Sequence, residues 1–336
     1  MTALRTLILA GAIAMTPADT FAQPLDEPAA QNEIATQRDE AAIATLVESV
    51  GTLADTGKFA ALEELYAPEI ELDYTSLSGG EPETVSNVEL MTRWAGVLPG
   101  FDRTRHDISD IDVSLGGNIA RATATVVADH WIDDQNWQVS GIYSYGFERT
   151  DDGWIITSHQ FDVTGEVGSR DIFESATQAA EADLSPYLRR QRSQAIVRQF
   201  LEGLEAKDMD RVNAVWAEDA VQEMPYAPRG VDFPTRVEGR EALIRQYAGW
   251  PDNAHNPDYT SELRFLPSAD PDLVIVEYRG VTEIVPTDRT YDQRYIGVFQ
   301  IDEDGKIALF REYFDPTVFV EAFALDRDPA FYASEE

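Results

Sequence analysis

The chain has 336 residues, 43% of them hydrophobic, which is enough for two domains with real cores. Its 61 acidic residues against 26 basic ones leave a net charge of −35, which repels phosphate backbones and excludes nucleic acid as an ordinary partner. No cysteine occurs, so disulfides, thiol catalysis and a lipid-anchored cysteine are excluded, and the three lysines (Lys58, Lys207, Lys306) leave few starting points for a Schiff base.

Residues 1–22 carry Arg5, an apolar run from Leu7 to Met15, Pro17 and a small-residue site ending at Ala22. That is the plan of a cleavable signal peptide, too short to span a bilayer, and it predicts export to the periplasm or medium with no membrane insertion. Residues 23–37, polar and proline-bearing, predict a disordered leader. Ile43, Leu46, Val47, Val50 and Leu53 then recur at helical spacing, and Ile196, Val197, Phe200, Leu201 and Leu204 repeat the pattern later.

Both helices run into matching segments. Residues 54–72 align with 205–222 at a shift of 150, which sets Asp55 against Glu205, Tyr66 against Trp216 and Ala67 against Ala217. TDDGWIITSHQFD (150–162) parallels DEDGKIALFREYFD (302–315) at a shift of 152 to 153. A repeat this long means two homologous domains rather than a solenoid. In the first copy, strands are predicted at roughly 69–77, 105–115, 118–132, 137–150 and 153–163, with Gly116-Gly117 and Asp152-Gly153 as turns. Helices followed by antiparallel strands predict an α+β fold, with helices packed on one face of a sheet. Domains are expected at 38–168 and 189–326, joined by a closing helix and linker over 169–188 with a break at Ser185-Pro186, and followed by an acidic tail at 327–336.

The phrases YAPEIELDY, GIYSYGFERTDDGW, RYIGVFQIDEDGKI and REYFDP resemble the SnoaL-like branch of the nuclear-transport-factor-like (NTF2-like) superfamily, over about residues 38 to 326. The resemblance implies two tandem cone-shaped α+β barrels, each with a mostly antiparallel sheet wrapped around a pocket. It also implies a small hydrophobic partner, such as a polyketide- or terpenoid-like molecule. The superfamily holds isomerases, cyclases, dehydratases, epoxide hydrolases and non-catalytic binding domains, so the fold does not choose the reaction.

The first copy is similar to scytalone dehydratase. Asp55 stands 19 residues before Tyr74, the spacing from helix aspartate to strand tyrosine in that enzyme family. His106, in RTRHDIS, and His130, in VVADHWID, fall on its two histidines, and GEVGSRDIF, ending at Phe173, falls on its closing segment. Its second tyrosine is Ala54 here, and the serine and asparagine of its later strand fall on Gly141 and Tyr143, so the same substrate is not implied. Tyr143 offers a replacement phenol, and His159 is a further pocket candidate.

The resemblance and the residue types together predict His106 as the main acid/base, Asp55 and His130 as the groups that orient and tune it, and Tyr74 as the donor that polarises the substrate or its water. By alternation Leu72 and Tyr74 share one face, so Tyr74 is expected on the pocket floor, while Trp131 is expected on the face opposite His130. Each residue also has a structural reading: Asp55 precedes Thr56-Gly57 and would serve as a cap or turn, and strand histidines are often only packed. The four histidines (His106, His130, His159, His255) show no HxH or HExxH spacing, so neither metal nor cofactor is expected.

In the second copy the positions of the tyrosine and aspartate of ketosteroid isomerase, a relative of this fold, carry Phe200 and Met224. Glu223 and Glu312 remain as candidate pocket carboxylates, with Tyr226 and Tyr295 expected near them. Glu223 alternates away from Met224, so only one of the two can face inward. Structural use of this copy, its sheet paired with that of the first in the same chain, is an equal alternative to a second active site. The expectation is thus an exported, cofactor-free dehydratase or isomerase working through the first copy. The alternatives are a non-catalytic binding or assembly module, epoxide hydrolysis in the same pocket, and a silent duplication.

Overall fold

In the computed structural model, which describes residues 27–325, one α+β layout occurs twice in succession. The expected signal peptide and the acidic tail lie outside the described residues. The first copy runs α1 (Glu27–Asp55), α2 (Phe59–Glu63), β1 (Tyr66–Asp73), α3 (Thr75–Ser78), β2 (Glu83–Ser86), α4 (Asn87–Ala95), β3 (Arg103–Gly116), β4 (Ile119–Ile132), β5 (Gln135–Thr150) and β6 (Gly153–Gly168), and is followed by α5 (Ile172–Ala182). The second runs α6 (Pro186–Ala206), α7 (Met209–Asn213), β7 (Trp216–Glu223), β8 (Arg236–Glu238), α8 (Arg240–Tyr247), α9 (Trp250–Asn253), β9 (Ala254–Asp258), β10 (Arg264–Leu266), β11 (Leu273–Ile284), β12 (Arg289–Ile301), β13 (Ile307–Tyr313) and α10 (Pro316–Ala322).

The sheets are ordered β2-β1-β6-β5-β4-β3 and β8-β7-β13-β12-β11-β10, with β9 also paired to β11. In each, one pair is parallel, β1 with β6 and β7 with β13, and the other pairs are antiparallel. The two orders match strand for strand, so the sequence repeat is a repeat of topology. One difference matters for chemistry: the 14-residue β3 of the first copy is replaced in the second by the short strands β9 and β10.

Two expectations are corrected. Residues 27–37, expected as disordered leader, are the first turns of α1. Their side chains are exposed from Gln31 to Arg38, and their low hydrophobicity argues against burial without arguing against a helix, which alanine, glutamate, glutamine and arginine favour. Asp39 ties this extension down, accepting from Trp154 Nε1 at 3.2 Å and pairing with Arg149. The strand expected over 69–77 stops at Asp73, whose Oδ1 accepts from the Thr75 amide at 3.1 Å and the Thr75 hydroxyl at 2.6 Å. This side-chain turn competes with the sheet ladder and leaves Tyr74 off the strand, with φ −109° and ψ 21°.

Alternation along β4 places Ala120, Ala122, Ala124, Val126, Ala128 and His130 inward, a run of small side chains ending in an imidazole. Helix α1 lies across β3, and Gly51 allows the approach: a Cβ there would stand 2.9 Å from Cβ of His106. Ser185 caps α6 by accepting from the Leu188 amide at 3.3 Å, so residues 186–188, expected as linker, are already helix. Tyr187, in that first turn, belongs to the first core, edge-on to Phe59 at 6.1 Å with its hydroxyl donating to Glu63 at 2.7 Å. Val197, Phe200, Leu201 and Leu204 of the same helix belong to the second core. Tyr187→Ala is expected to destabilise the first copy by about 3 kcal/mol through the cavity it leaves, and Tyr187→Phe by about 1–2 kcal/mol, both read from urea unfolding curves.

Candidate functional site

The end of α1 organises the first cavity. Asp55 is its last residue, and its Oδ2 accepts from the His106 amide at 2.8 Å. Its Oδ1 accepts from the Thr104 hydroxyl at 2.8 Å and lies 2.7 Å from His106 Nδ1. A carboxylate can only accept, so Nδ1 carries the proton and Nε2 of the neutral ring is left as an acceptor. Burial alone would raise the Asp55 carboxyl; the ring and amide of His106 and the Thr104 hydroxyl more than offset it and hold the group below the usual carboxylate range. In the second copy Glu205 takes the same place, accepting from the Tyr259 amide at 3.2 Å and the Thr260 hydroxyl at 2.8 Å, with no imidazole added.

His106 opens on a cavity of about 190 Å³ whose walls are largely apolar, among them Val50, Ala54, Trp94, Val139 and Phe161. Its polar groups are His106, His130, Tyr74 and Tyr143. His130 stands edge-on to His106 with ring centroids 5.6 Å apart. Burial and the neighbouring His106 push its pKa down to about 4, so it is a neutral imidazole at neutral pH, and its buried Nδ1 has no partner among the described residues. Burial raises the phenols of Tyr74 and Tyr143, which hydrogen bond to each other, so both stay protonated and one proton of the pair is left to donate into the cavity. Phe173 of α5 packs on Trp137 (4.8 Å), Phe101 (5.2 Å) and His130 (5.8 Å) and closes the cavity on that side.

The structure thus brings Asp55, His106, His130, Tyr74, Tyr143 and Phe173 together and sets His159 apart. His159 is 1% exposed and does not line the cavity; it lies behind Tyr74, with Nδ1 3.0 Å from the Tyr66 hydroxyl and its ring stacked on Tyr145 at 4.3 Å. Burial, with a smaller effect of His106, pushes its pKa down to about 3. Trp131 lies on the other face of β4, under the Arg103 guanidinium at 3.9 Å.

The second copy has a cavity of about 240 Å³, lined by Glu312 and Tyr295 as expected. Tyr278 donates to Glu312 Oε1 at 2.9 Å and Gln222 Nε2 to Oε2 at 3.4 Å. Burial pushes the Glu312 carboxyl up to about 7, against the lowering effect of those two donors. Met224 faces this cavity, so Glu223 faces away and pairs instead with Arg236 and Arg311. Tyr226 is 64% exposed, its ring against Tyr313, and is not in the cavity. Glu223 is therefore withdrawn as a pocket residue for the alternation reason that seats Met224, and Tyr226 because it stands in an exposed turn after the strand. Sequence reasoning missed Gln222, Tyr247, Tyr259 and Tyr278; the inward alternation of β7 and β11 was the signal for Gln222 and Tyr278.

A family model described as SnoaL-like domain matches residues 35–160, and a second of the same description matches residues 197–310. The uncharacterised protein YesE of Bacillus subtilis is 35% identical over 127 residues, which are 38% of this chain and 84% of YesE. An uncharacterised PhzA/B-like protein of Pseudomonas aeruginosa is 35% identical over 104 residues, covering 31% of this chain and 70% of that protein. The solved structure of an NTF2-like protein with a cystatin-like fold, from Novosphingobium aromaticivorans, covers 45% of this chain and 97% of its own at 18% identity, with a TM-score of 0.37. The chain belongs to the SnoaL-like family, which it represents twice, as two tandem cone-shaped α+β domains. No helix among the described residues is long and apolar enough to cross a membrane, and no cluster of three metal-ligating side chains occurs among them.

The buried ionisable groups set the pH response. His130 and His159 have folded pKa values of about 4 and 3 against an ordinary 6.5, so the unfolded chain takes up protons first. The stability they contribute is complete above about pH 6.5 and is lost as pH falls through their folded values. Glu312 has the opposite sign: raised from 4.5 to about 7, it contributes stability that is complete below about 4.5 and lost as pH rises through 7. Urea unfolding from pH 4 to 8 should show both limbs; Glu312→Gln should flatten the neutral limb and His159→Phe the acid one.

Proposed function

We propose that the first cavity is the active site of a cofactor-free acid–base enzyme, of the dehydratase or isomerase type, for a small, largely apolar molecule bearing a hydroxyl and a carbonyl. One observation carries this reading: the Asp55–His106 pair, 2.7 Å apart, opens on an apolar cavity whose other polar groups are a neutral imidazole and two protonated phenols. At about 190 Å³ the cavity is smaller than the ~300–1,000 Å³ of pockets for drug-sized ligands, which favours a compact substrate.

In this reading Nε2 of His106 takes a proton from the carbon next to the carbonyl, and the electron pair moves to the carbonyl oxygen. Of the mutually bonded phenols Tyr74 and Tyr143, one donates to the developing enolate and the other supports it, in a site with little water. Asp55 stabilises the imidazolium and holds the ring in place. The enolate then re-forms its carbonyl and expels the β-hydroxyl, which takes the proton back from His106 and leaves as water. In an isomerisation the same proton returns to a different carbon. His130, kept neutral by burial, supplies a hydrogen bond without a second positive charge. Export belongs to this reading too and rests on residues 1–22 alone.

The full chain should catalyse loss of water from members of a panel of cyclic β-hydroxyketones, followed by enone absorbance, and exchange of their α-protons in D₂O, followed by NMR. His106→Gln should lower kcat by about 10²–10⁴-fold and Tyr74→Phe by a smaller factor. Asp55→Asn should also lower kcat, since the imidazolium loses the carboxylate that stabilises it. A binding module is the better reading if no panel member exchanges or reacts, and the catalytic pair is refuted if Asp55→Asn leaves kcat unchanged.

A further inference from the structure

We propose that the second cavity is a binding site for a small amine in its ammonium form with an apolar body, its nitrogen held by the Glu312 carboxylate and the Gln222 amide oxygen. The site is independent of the chemistry assigned to the first cavity and lies in the other domain.

Three features of the cavity select this ligand. The first is an unpaired acceptor beside the carboxyl: Gln222 is 2% exposed and lines the cavity, and its Oε1 has no partner among the described residues while its Nε2 reaches Glu312. Two of the phenolic protons of the lining are already committed, Tyr278 donating to Glu312 at 2.9 Å and Tyr295 to the Tyr291 hydroxyl at 2.7 Å. A donor on the ligand would pair with that Gln222 oxygen and with the carboxylate at once, which a ligand carbonyl would not do.

The second feature is the wall. Aromatic rings line the cavity, including Tyr247, Trp250, Tyr259, Tyr278, Tyr295 and Phe314, with Tyr278 and Tyr295 stacked at 4.7 Å and Tyr259 tilted against both. Such a cage attracts an organic cation through the ring faces and buries its apolar body. The third is charge: no lysine, arginine or histidine lines the cavity among the described residues, and the whole chain carries −35, so an anionic ligand would meet repulsion and a cation attraction.

The pH response of binding follows from the groups around the carboxyl. Gln222 of β7, Tyr247 of α8, Tyr259 after β9, Tyr278 of β11, and Tyr291 and Tyr295 of β12 surround the cavity, and burial raises every one of these phenols. Between pH 6 and 8 Glu312 is thus the titrating group of the lining, with burial holding its pKa at about 7 in the empty cavity. Affinity for an ammonium ion should fall by about tenfold per pH unit well below that point.

The test is calorimetric titration of the full chain with benzylamine, which stays protonated from pH 6 to 8, and with its neutral isostere benzyl alcohol. At pH 8 benzylamine should bind with a stoichiometry of one and at least ~10-fold more tightly than the alcohol, the difference a charge-assisted hydrogen bond supplies. At pH 6 the amine should lose most of that advantage while the alcohol does not change, and Glu312→Gln should bring the amine to the level of the alcohol at both pH values. The wild-type pH dependence needs no variant, so a folding defect in Glu312→Gln, checked by thermal unfolding, would not decide the matter. Equal or tighter binding of the alcohol, an amine affinity that is flat with pH, or no binding of the amine at millimolar concentration would each overturn the proposal.

Discussion

A carboxylate at the end of a helix, gripping a backbone amide and a threonine hydroxyl of the sheet's edge, is the contact on which both halves of this molecule depend. Asp55 makes it to Thr104 and His106, and Glu205 makes it to Tyr259 and Thr260. The grip fixes how far the long helix stands from the outer strand, and that separation decides whether a space remains beneath it. Glycine at position 51, where a side chain would collide with His106, is the steric half of the same constraint. The carboxylate therefore has a structural task in both copies, and only in the first does an imidazole add a chemical one.

From this shared frame the two cavities diverge through one change of strand. In the first copy the edge is a long continuous β3, and alternation along it turns an imidazole toward the helix end. In the second the edge is broken into β9 and β10, Tyr259 sits in the gap between them, and His255 of β9 is exposed beside Glu283 rather than turned into the cavity. The ionisable group of that cavity comes instead from β13, where Glu312 is enclosed by phenols. One fold thus carries two polar environments of different character: a carboxylate-backed imidazole in an aliphatic and aromatic space, and a lone carboxyl among tyrosines.

The repeat, the fold class and the inward face of β4 were legible because they are written in periodicities, the 150-residue shift and the alternation that buries His130 together with its alanines. The meeting of Asp55 with His106 was legible only through resemblance, since the two stand 51 residues apart and nothing local joins them. Other features depended on competition between interactions. Tyr74 leaves the strand because Asp73 turns the backbone through its own side chain. His159 withdraws behind the wall because the Tyr66 hydroxyl meets its ring there. The α1 extension escaped notice because a polar helix without a buried face looks like any other hydrophilic leader.

The joint between the copies has a consequence for how the molecule can be divided. Because α6 begins in one core and ends in the other, the repeat boundary is not a boundary of folding. A cut just after residue 188 would keep the tyrosine with its proper core but strip the second domain's main helix of its capped first turn. A cut before Ser185 would save the helix and leave an open socket beside Phe59. Either copy alone would thus expose apolar surface at the seam that the other copy covers in the full chain.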